Sequence, residues 1–291
     1  MNKKKIVITG CTSGIGKSLL TDLLNRKDIY LIGICRNPNK IKNIAKLNKN
    51  NLKLIKCNFL RIQDVKNLLI KLKKIKNINI LINNAGSLFF RNKIIFQDLD
   101  ETYFLNFFIP FVLSYELKNN FQKKNKNLII NIGSNAYKTF PIQKEDIFFK
   151  KYSLSYKRYC KSKLFLLYIT AKLNELKNKN FHCCYVHPGF VKTDIFKNFP
   201  FAYKIFFKIL RYLRGIEPDY SSKFIINNII FNNKKRISTI FDYNKTVYPK
   251  DIFLNKEFKD KIWKLNKERI IDFKKLKELK KYSLIFYTYQ Y

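Results

Sequence analysis

Apolar residues along this chain follow two alternating patterns: short β-branched runs, and longer stretches in which they recur at every third or fourth position. The short runs Lys4–Thr9, Tyr30–Cys35, Leu52–Cys57, Ile78–Asn83, Leu128–Ile132 and His182–His187 read as strands. Between them Ile15–Arg26, Asn39–Lys46, Gln63–Lys74, Gln97–Phe121 and Tyr156–Lys177 read as amphipathic helices. This alternation predicts an α/β fold with a doubly wound parallel sheet and helices on both faces. A late run at Arg236–Phe241 brings the sheet to about seven strands. Ligands of such sheets sit outside the carboxyl ends of the strands, so the residues that follow each strand are where chemistry is expected.

A chain of 291 residues has room for one large core. Past His187 the alternation weakens, which divides the chain into one domain over residues 1–250 and a lysine-rich, helical extension over 251–291 ending in Leu284-Ile285-Phe286-Tyr287. No run reaches the ~18 apolar residues of a membrane-spanning helix. The first apolar stretch, Ile6-Val7-Ile8, breaks at Thr9-Gly10, too soon for a secretion signal. The expected location is therefore intracellular, either cytoplasmic or peripheral on a cytosol-facing membrane, and not secreted.

The net charge of +39 invites a nucleic-acid reading. Its lysines are instead spread between elements and along polar helix faces, with no nucleic-acid-binding motif, and the richness in Lys, Asn, Ile and Phe reads as the codon bias of an A/T-rich genome. No nucleic-acid partner is expected. Six cysteines form no CxxC pair and only two histidines occur, His182 and His187, so neither a metal site nor a Ser/His/Asp triad is expected.

Directly after the first run comes Thr9-Gly10-Cys11-Thr12-Ser13-Gly14-Ile15-Gly16-Lys17. Missing side chains at Gly10, Gly14 and Gly16 let the backbone approach a pyrophosphate, and the helix that follows offers free N–H groups and the positive end of its dipole. Only 8 residues are glycine, so these spacings arise by chance on the order of 0.01 times per chain. TGxxxGIG at this place resembles the classical short-chain dehydrogenase/reductase family. The resemblance implies a Rossmann-type fold and a nicotinamide cofactor held at Thr9, Gly10, Ser13, Gly14, Ile15 and Gly16.

Arg36 follows the second strand, where an NAD-preferring enzyme would carry an acid on the ribose hydroxyl. A guanidinium pairs with a 2′-phosphate that an acid would repel, so NADP(H) is expected rather than NAD(H). Family members commonly carry an Asp after the third strand; here Asn58 stands there, with hydrogen bonds still to offer near the adenine. Asn83-Asn84-Ala85-Gly86 is similar to the family's NNAG segment, which implies that Asn84, Ala85 and Gly86 flank the cofactor. After the sixth strand, Pro188-Gly189 and Thr193 match the family's PG segment, and the resemblance puts Thr193 at the nicotinamide carboxamide. His187 then reads as positional.

A tyrosine serves as a proton donor when a neighbouring cation lowers its phenol pKa. Tyr159 and Lys163 are spaced i, i+4 and project from one helical face, but Tyr168 and Lys172 have the same spacing. With 18 tyrosines and 50 lysines, about three such pairs are expected by chance. Position separates the two. Ser134 ends the fifth strand 25 residues before Tyr159, a separation similar to that of the retinol-dehydrogenase-like branch, whose YCHSKL is close to Tyr159-Cys160-Lys161-Ser162-Lys163-Leu164. By resemblance, Tyr159 is the catalytic acid/base, Ser134 bonds the substrate oxygen, Lys163 binds the nicotinamide ribose, and Asn106 helps hold a proton-relay water.

The segment 196–215 carries Phe199, Tyr203, Phe207 and Leu210 near one face and Lys204, Lys208 and Arg211 on another. It fits a lid over an apolar substrate, and equally a helix lying in a membrane interface. The expected reaction is hydride transfer between NADP(H) and the carbonyl or alcohol carbon of a lipophilic, retinoid- or steroid-like aldehyde, ketone or alcohol. The alternative is a catalytically silent NADP(H)-binding sensor or scaffold on the same fold, against which Ser134, Tyr159 and Lys163 argue.

Overall fold

The computed structural model describes residues 3–123, 127–140, 154–177, 180–193, 199–201, 205, 212, 215–231, 240–243, 245–247 and 255–276. The first half runs β1 (Lys4–Thr9), α1 (Gly14–Leu24), β2 (Ile29–Cys35), α2 (Lys42–Leu47), β3 (Leu52–Lys56), α3 (Ile62–Lys73), β4 (Ile78–Asn83), β5 (Ile94–Phe96), β6 (Leu99–Asp100), α4 (Glu101–Tyr103) and α5 (Ile109–Glu116). The second half adds β7 (Asn127–Ile132), α6 (Ser155–Asn174), β8 (Phe181–His187), α7 (Pro218–Ile225), β9 (Ile240–Asp242), β10 (Lys245–Val247) and α8 (Lys256–Lys275).

Eight strands form one sheet in the order β10-β9-β8-β7-β4-β1-β2-β3. Within this sheet seven of the described strands run parallel and the edge strand β10 runs antiparallel to β9. The strands read as nearly continuous apolar runs because both faces are buried. Ile6, Ile8, Ile80, Ile82, Leu128 and Ile130 point to the face covered by Leu19, Leu23, Ile225 and Ile229 of α1 and the α7 region. Val7, Leu81 and Ile129 point the other way, into a core with Leu68, Phe111, Phe165 and Trp263. Strand order reverses between β1 and β4, and the crevice at that switch point is where the glycine turn and the NNAG segment meet.

The helix expected from Gln97 starts later. Gln97 turns a short β5–β6 hairpin with φ at +50°, and Asp100 caps α4 by accepting from the Tyr103 N–H at 2.8 Å. Pro110 has no N–H to give the Asn106 carbonyl, the partner an uninterrupted α-helix would supply, and the chain widens into a π-helical turn over Phe104–Phe108 before α5. The strand expected at Arg236–Phe241 is described only as Ile240–Asp242, the rest lying outside the described residues.

In the C-terminal extension, α8 packs on α5 and α6. Trp263 meets Phe111 at 5.1 Å between ring centres, and Phe258 meets Tyr168 at 5.4 Å. Residues 251–254 and 277–291, including the terminal aromatic string, lie outside the described residues, as does most of 196–215. All six cysteines are buried free thiols. Among the described residues no helix is long and apolar enough to cross a membrane.

Candidate active site

A cavity of about 400 Å³ opens along the carboxyl ends of β1, β2, β3, β4, β7 and β8. Its floor begins with the glycine turn. Gly10 and Gly14 take φ of +71° and +51°, a region closed to most side chains. Ser13 stands at the N-cap of α1 without a side-chain cap bond, and no acid occupies the first turn. The N-terminal N–H groups of α1 and its positive dipole end therefore face the cavity at Gly14 and Ile15, an arrangement that fits a pyrophosphate.

Thr9 and Gly16 do not line this cavity; they fasten its wall. Thr9 Oγ1 accepts from the N–H groups of Asn84 and Ala85, each at 3.0 Å, and Asn84 Nδ2 donates to the carbonyls of Thr9 at 2.9 Å and Gly10 at 3.1 Å. A Cβ on Gly16 would lie 2.3 Å from both Asn84 Nδ2 and the Gly10 carbonyl, so only glycine lets these two strand ends close. Asn84, Ala85 and Gly86 themselves face the cavity.

Arg36 is exposed at the far end of the cavity, joined there by Asn37, Lys40 and Asn58. Asn58 is already engaged, its Oδ1 accepting from the Leu60 N–H at 3.2 Å and its own N–H donating to Asp64 at 2.9 Å. At the opposite end Pro188, Gly189 and Thr193 line the wall. Gly189 takes φ of +89°, and Thr193 Cγ2 would lie 2.9 Å from a Cβ on Gly14.

Ser134, Tyr159 and Lys163 converge on the middle of this cavity. Lys163 Nζ donates to the Ile132 carbonyl at 2.8 Å and sits 5.7 Å from the centre of the Tyr159 ring. The Tyr159 phenol is raised above its ordinary value, first by burial, while the Ser134 hydroxyl pulls it back. On the Tyr159 phenol burial outweighs the lowering expected from a neighbouring cation. The same burial brings Lys163 down to about 8. His187 is also held low by burial, against the pull of Asp242, and its Nδ1 accepts from the Asn135 N–H at 3.2 Å, a positional contact.

Asn106 lies behind the cavity wall. Its amide exchanges two hydrogen bonds with the Ser87 backbone, at 2.8 and 2.9 Å, and donates to Ser162 Oγ at 3.2 Å, fixing the loop after β4 against the helix that carries Tyr159.

The competing pair is accounted for elsewhere. Tyr168 is buried against Phe258, and Lys172 pairs with Asp260 and, at 3.1 Å, with Glu175. Neither lines the cavity. Sequence reasoning missed Leu88, Phe89, Tyr156 and Phe190, which give the cavity its apolar end. They lie in loops and at a helix start, and only the folded chain brings them together.

A doubly wound α/β sheet with a glycine turn at its switch point and a Ser, Tyr and Lys gathered at the strand ends defines a Rossmann-type oxidoreductase. The family model described as short chain dehydrogenase matches residues 4–202, and the chain belongs to that family. It is 30% identical over 197 residues to the 3-oxoacyl-(acyl-carrier-protein) reductase FabG of Rickettsia prowazekii, covering 66% of this chain and 74% of the relative. Retinol dehydrogenase 11 of Homo sapiens is 26% identical over 208 residues, with 68% and 64% covered. The crystal structure of an NADPH-bound carbonyl reductase from chicken fatty liver superposes with a TM-score of 0.62 at 23% identity, covering 85% of this chain and all of that one, and so shares the fold.

Proposed function

We propose that this chain uses NADP(H) to interconvert a lipophilic aldehyde or ketone with its alcohol, with Tyr159 as the acid/base. The observation that carries the reading is the meeting of Ser134, Tyr159 and Lys163 in one cavity with the glycine turn. The nicotinamide, when bound, supplies or accepts the hydride. Gly10, Ser13, Gly14 and Ile15 hold its pyrophosphate against the N-terminus of α1, and Asn84, Ala85, Gly86, Pro188, Gly189 and Thr193 flank the rest. Arg36, with Lys40 beside it, pairs with a 2′-phosphate.

Ser134 donates to the substrate oxygen and Tyr159 gives that oxygen its proton. A buried phenol stays protonated through the neutral range, so the site as it stands is set for carbonyl reduction. Lys163 fixes the ribose and, when charged, favours the tyrosinate left behind. Asn106 acts by position, locking the loop after β4; its carbonyl, denied an α-helical partner by Pro110, is suited to hold a relay water.

A lipophilic substrate suits the apolar end formed by Leu88, Phe89, Tyr156, Phe190 and Val191. The name of retinol dehydrogenase 11 points the same way. Residues 1–250 form the catalytic domain in this reading, 196–215 its lid and 251–291 an extension folded back through α8. Exposed Phe201 and Tyr212 fit peripheral contact of the lid with a cytosol-facing membrane.

The test is NADPH oxidation by the purified chain over aldehydes, ketones and retinoids, with NADPH binding followed by fluorescence. Turnover of apolar carbonyls is expected. Absence of NADPH binding would sink the reading, and binding without turnover on any carbonyl would favour a silent sensor.

A further inference from the structure

Tyr185 on β8 is 1% exposed, and no motif marks it. Its ring lies against the backbone of Gly133: a Cβ built there would come within 2.0 Å of the ring's Cζ, so the glycine is what admits the ring. Tyr137 closes the other side edge-on, with ring centres 5.8 Å apart and planes at 88°. The ring has one place to lie.

Its hydroxyl meets both backbone groups of a single residue. Tyr185 Oη accepts from the Ser134 N–H at 2.9 Å and donates to the Ser134 carbonyl at 2.8 Å. Ser134 stands past the last paired residues of β7, which are Asn131 opposite Asn83 and Ile132 opposite Val186. The clamp thus begins where the ladder stops. Fixing the N–H and the carbonyl of one residue fixes its extended backbone, φ −164° and ψ 146°, and with it the direction of the Cα–Cβ bond.

We propose that Tyr185 is a positioning residue for Ser134, holding the serine's backbone so that its hydroxyl is aimed at the substrate oxygen beside Tyr159. This rests on the reading of Ser134 as a substrate donor. Burial raises the Tyr185 phenol well above its ordinary value, so its proton remains available to the Ser134 carbonyl through the neutral range. Apart from Tyr185, Ser134 is tied to the turn it caps, its carbonyl accepting from the Tyr137 N–H at 3.4 Å and its hydroxyl from the Ala136 N–H at 3.2 Å, and a misplacement of about 1 Å costs a reaction on the order of 100-fold.

The experiment compares wild type with Tyr185→Phe, which keeps the ring and removes the clamp, and with Gly133→Ala, which keeps the hydroxyl but displaces the ring. Amide hydrogen exchange on the free chain should rise at Ser134 in both variants and leave the glycine turn unchanged. In steady state kcat should fall about 10- to 100-fold, with KM and NADPH affinity within about twofold of wild type. In a Ser134→Ala background the same change at Tyr185 should cost less than about threefold, because the group it positions is gone. Unchanged exchange at Ser134, or full additivity with Ser134→Ala, overturns the proposal. Should Tyr185→Phe fail to fold, Gly133→Ala decides by the same criteria. A wild-type chain without turnover sinks the reductase reading instead, and the exchange measurement then decides on the clamp by itself.

Discussion

Lys163 Nζ lies 5.7 Å from the centre of the Tyr159 ring and spends a hydrogen bond on the Ile132 carbonyl, at 2.8 Å, in a site that water barely reaches. Burial brings the ammonium from its ordinary 10.5 down to about 8. The folded chain therefore releases this proton before the unfolded chain does. Between about pH 8 and 10.5 the unfolded state binds more protons, so this residue's contribution makes stability rise with pH across that window; below it the charged form carries its full desolvation cost.

Replacing Lys163 with Met removes that cost at neutral pH and forfeits one hydrogen bond of about 1 kcal/mol. Lys163→Met should unfold at a denaturant concentration equal to or higher than that of wild type at pH 7, with the gain shrinking toward pH 10, while turnover is lost. A clear loss of stability at pH 7 would contradict the burial argument. For the wild type, kcat/KM for carbonyl reduction should fall as pH rises through about 8, where the free protein loses the Lys163 charge.

The two Tyr-x-x-x-Lys pairs make opposite predictions. Tyr159→Phe should lower kcat by about 10²- to 10⁴-fold with NADPH binding unchanged. Tyr168→Phe removes a hydroxyl that meets the Asn255 backbone on the far side of α6, and should cost about 1 kcal/mol of stability without loss of turnover. Stopped-flow NADPH oxidation with parallel thermal melts separates them. A dead Tyr168→Phe beside a live Tyr159→Phe would reverse the assignment.

Cofactor preference is tested at Arg36. Arg36→Glu replaces a cation suited to a 2′-phosphate with an acid suited to a ribose hydroxyl, and should weaken NADPH binding by about 2 kcal/mol, roughly 30-fold. NADH binding should hold or improve. Lys40, in the short 3₁₀ turn that follows and lining the same cavity, limits the size of the switch, and Arg36→Glu with Lys40→Ala should extend it. Equal loss for both cofactors would mean that Arg36 reads no phosphate.

The six expected strands all form within one residue of their expected ends: a strand buried on both faces must be apolar along its length, and at the sheet edge β3 keeps its apolar residues among exposed Lys53 and Lys56. The helix around Asn106 was legible in type and not in outline. Its apolar periodicity extends smoothly through Gln97, and only the positive φ there and the capping by Asp100 stop it. Motif residues after each strand reached the cavity because chain topology brings strand ends together. Leu88, Phe89, Tyr156 and Phe190 stand far apart in the chain, so the apolar end was invisible until the loops closed. Tyr185 was hidden for another reason: it sits inside a predicted strand, where a tyrosine reads as ordinary core.

A buried ion pair ties the helix of Tyr159 to the hairpin beneath the cavity. Arg158 Nε lies 2.9 Å from Asp100 Oδ2, both side chains under 5% exposed, and the guanidinium also donates to the carbonyls of Phe90 and Arg91 at 3.3 and 3.2 Å. Burial pushes the Asp100 carboxyl up, against the pull of the Tyr103 N–H and Arg158, so the pair's own net contribution is small. Removing one charge of such a pair is what costs. Asp100→Asn keeps an acceptor for the Tyr103 cap but takes this carboxylate away from the buried Arg158 guanidinium, and should destabilise the fold by about 3–5 kcal/mol. Adding Arg158→Met to that variant should recover about half of the loss, although two loop carbonyls lose their donor. The exposed pair Arg26–Asp28, at 3.4 Å, is the control, and Asp28→Asn should change stability by less than about 1 kcal/mol. Urea midpoints of the four proteins read the difference. If Arg158→Met deepens the loss in the Asp100→Asn background, the pair stabilises in its own right and the desolvation argument is wrong.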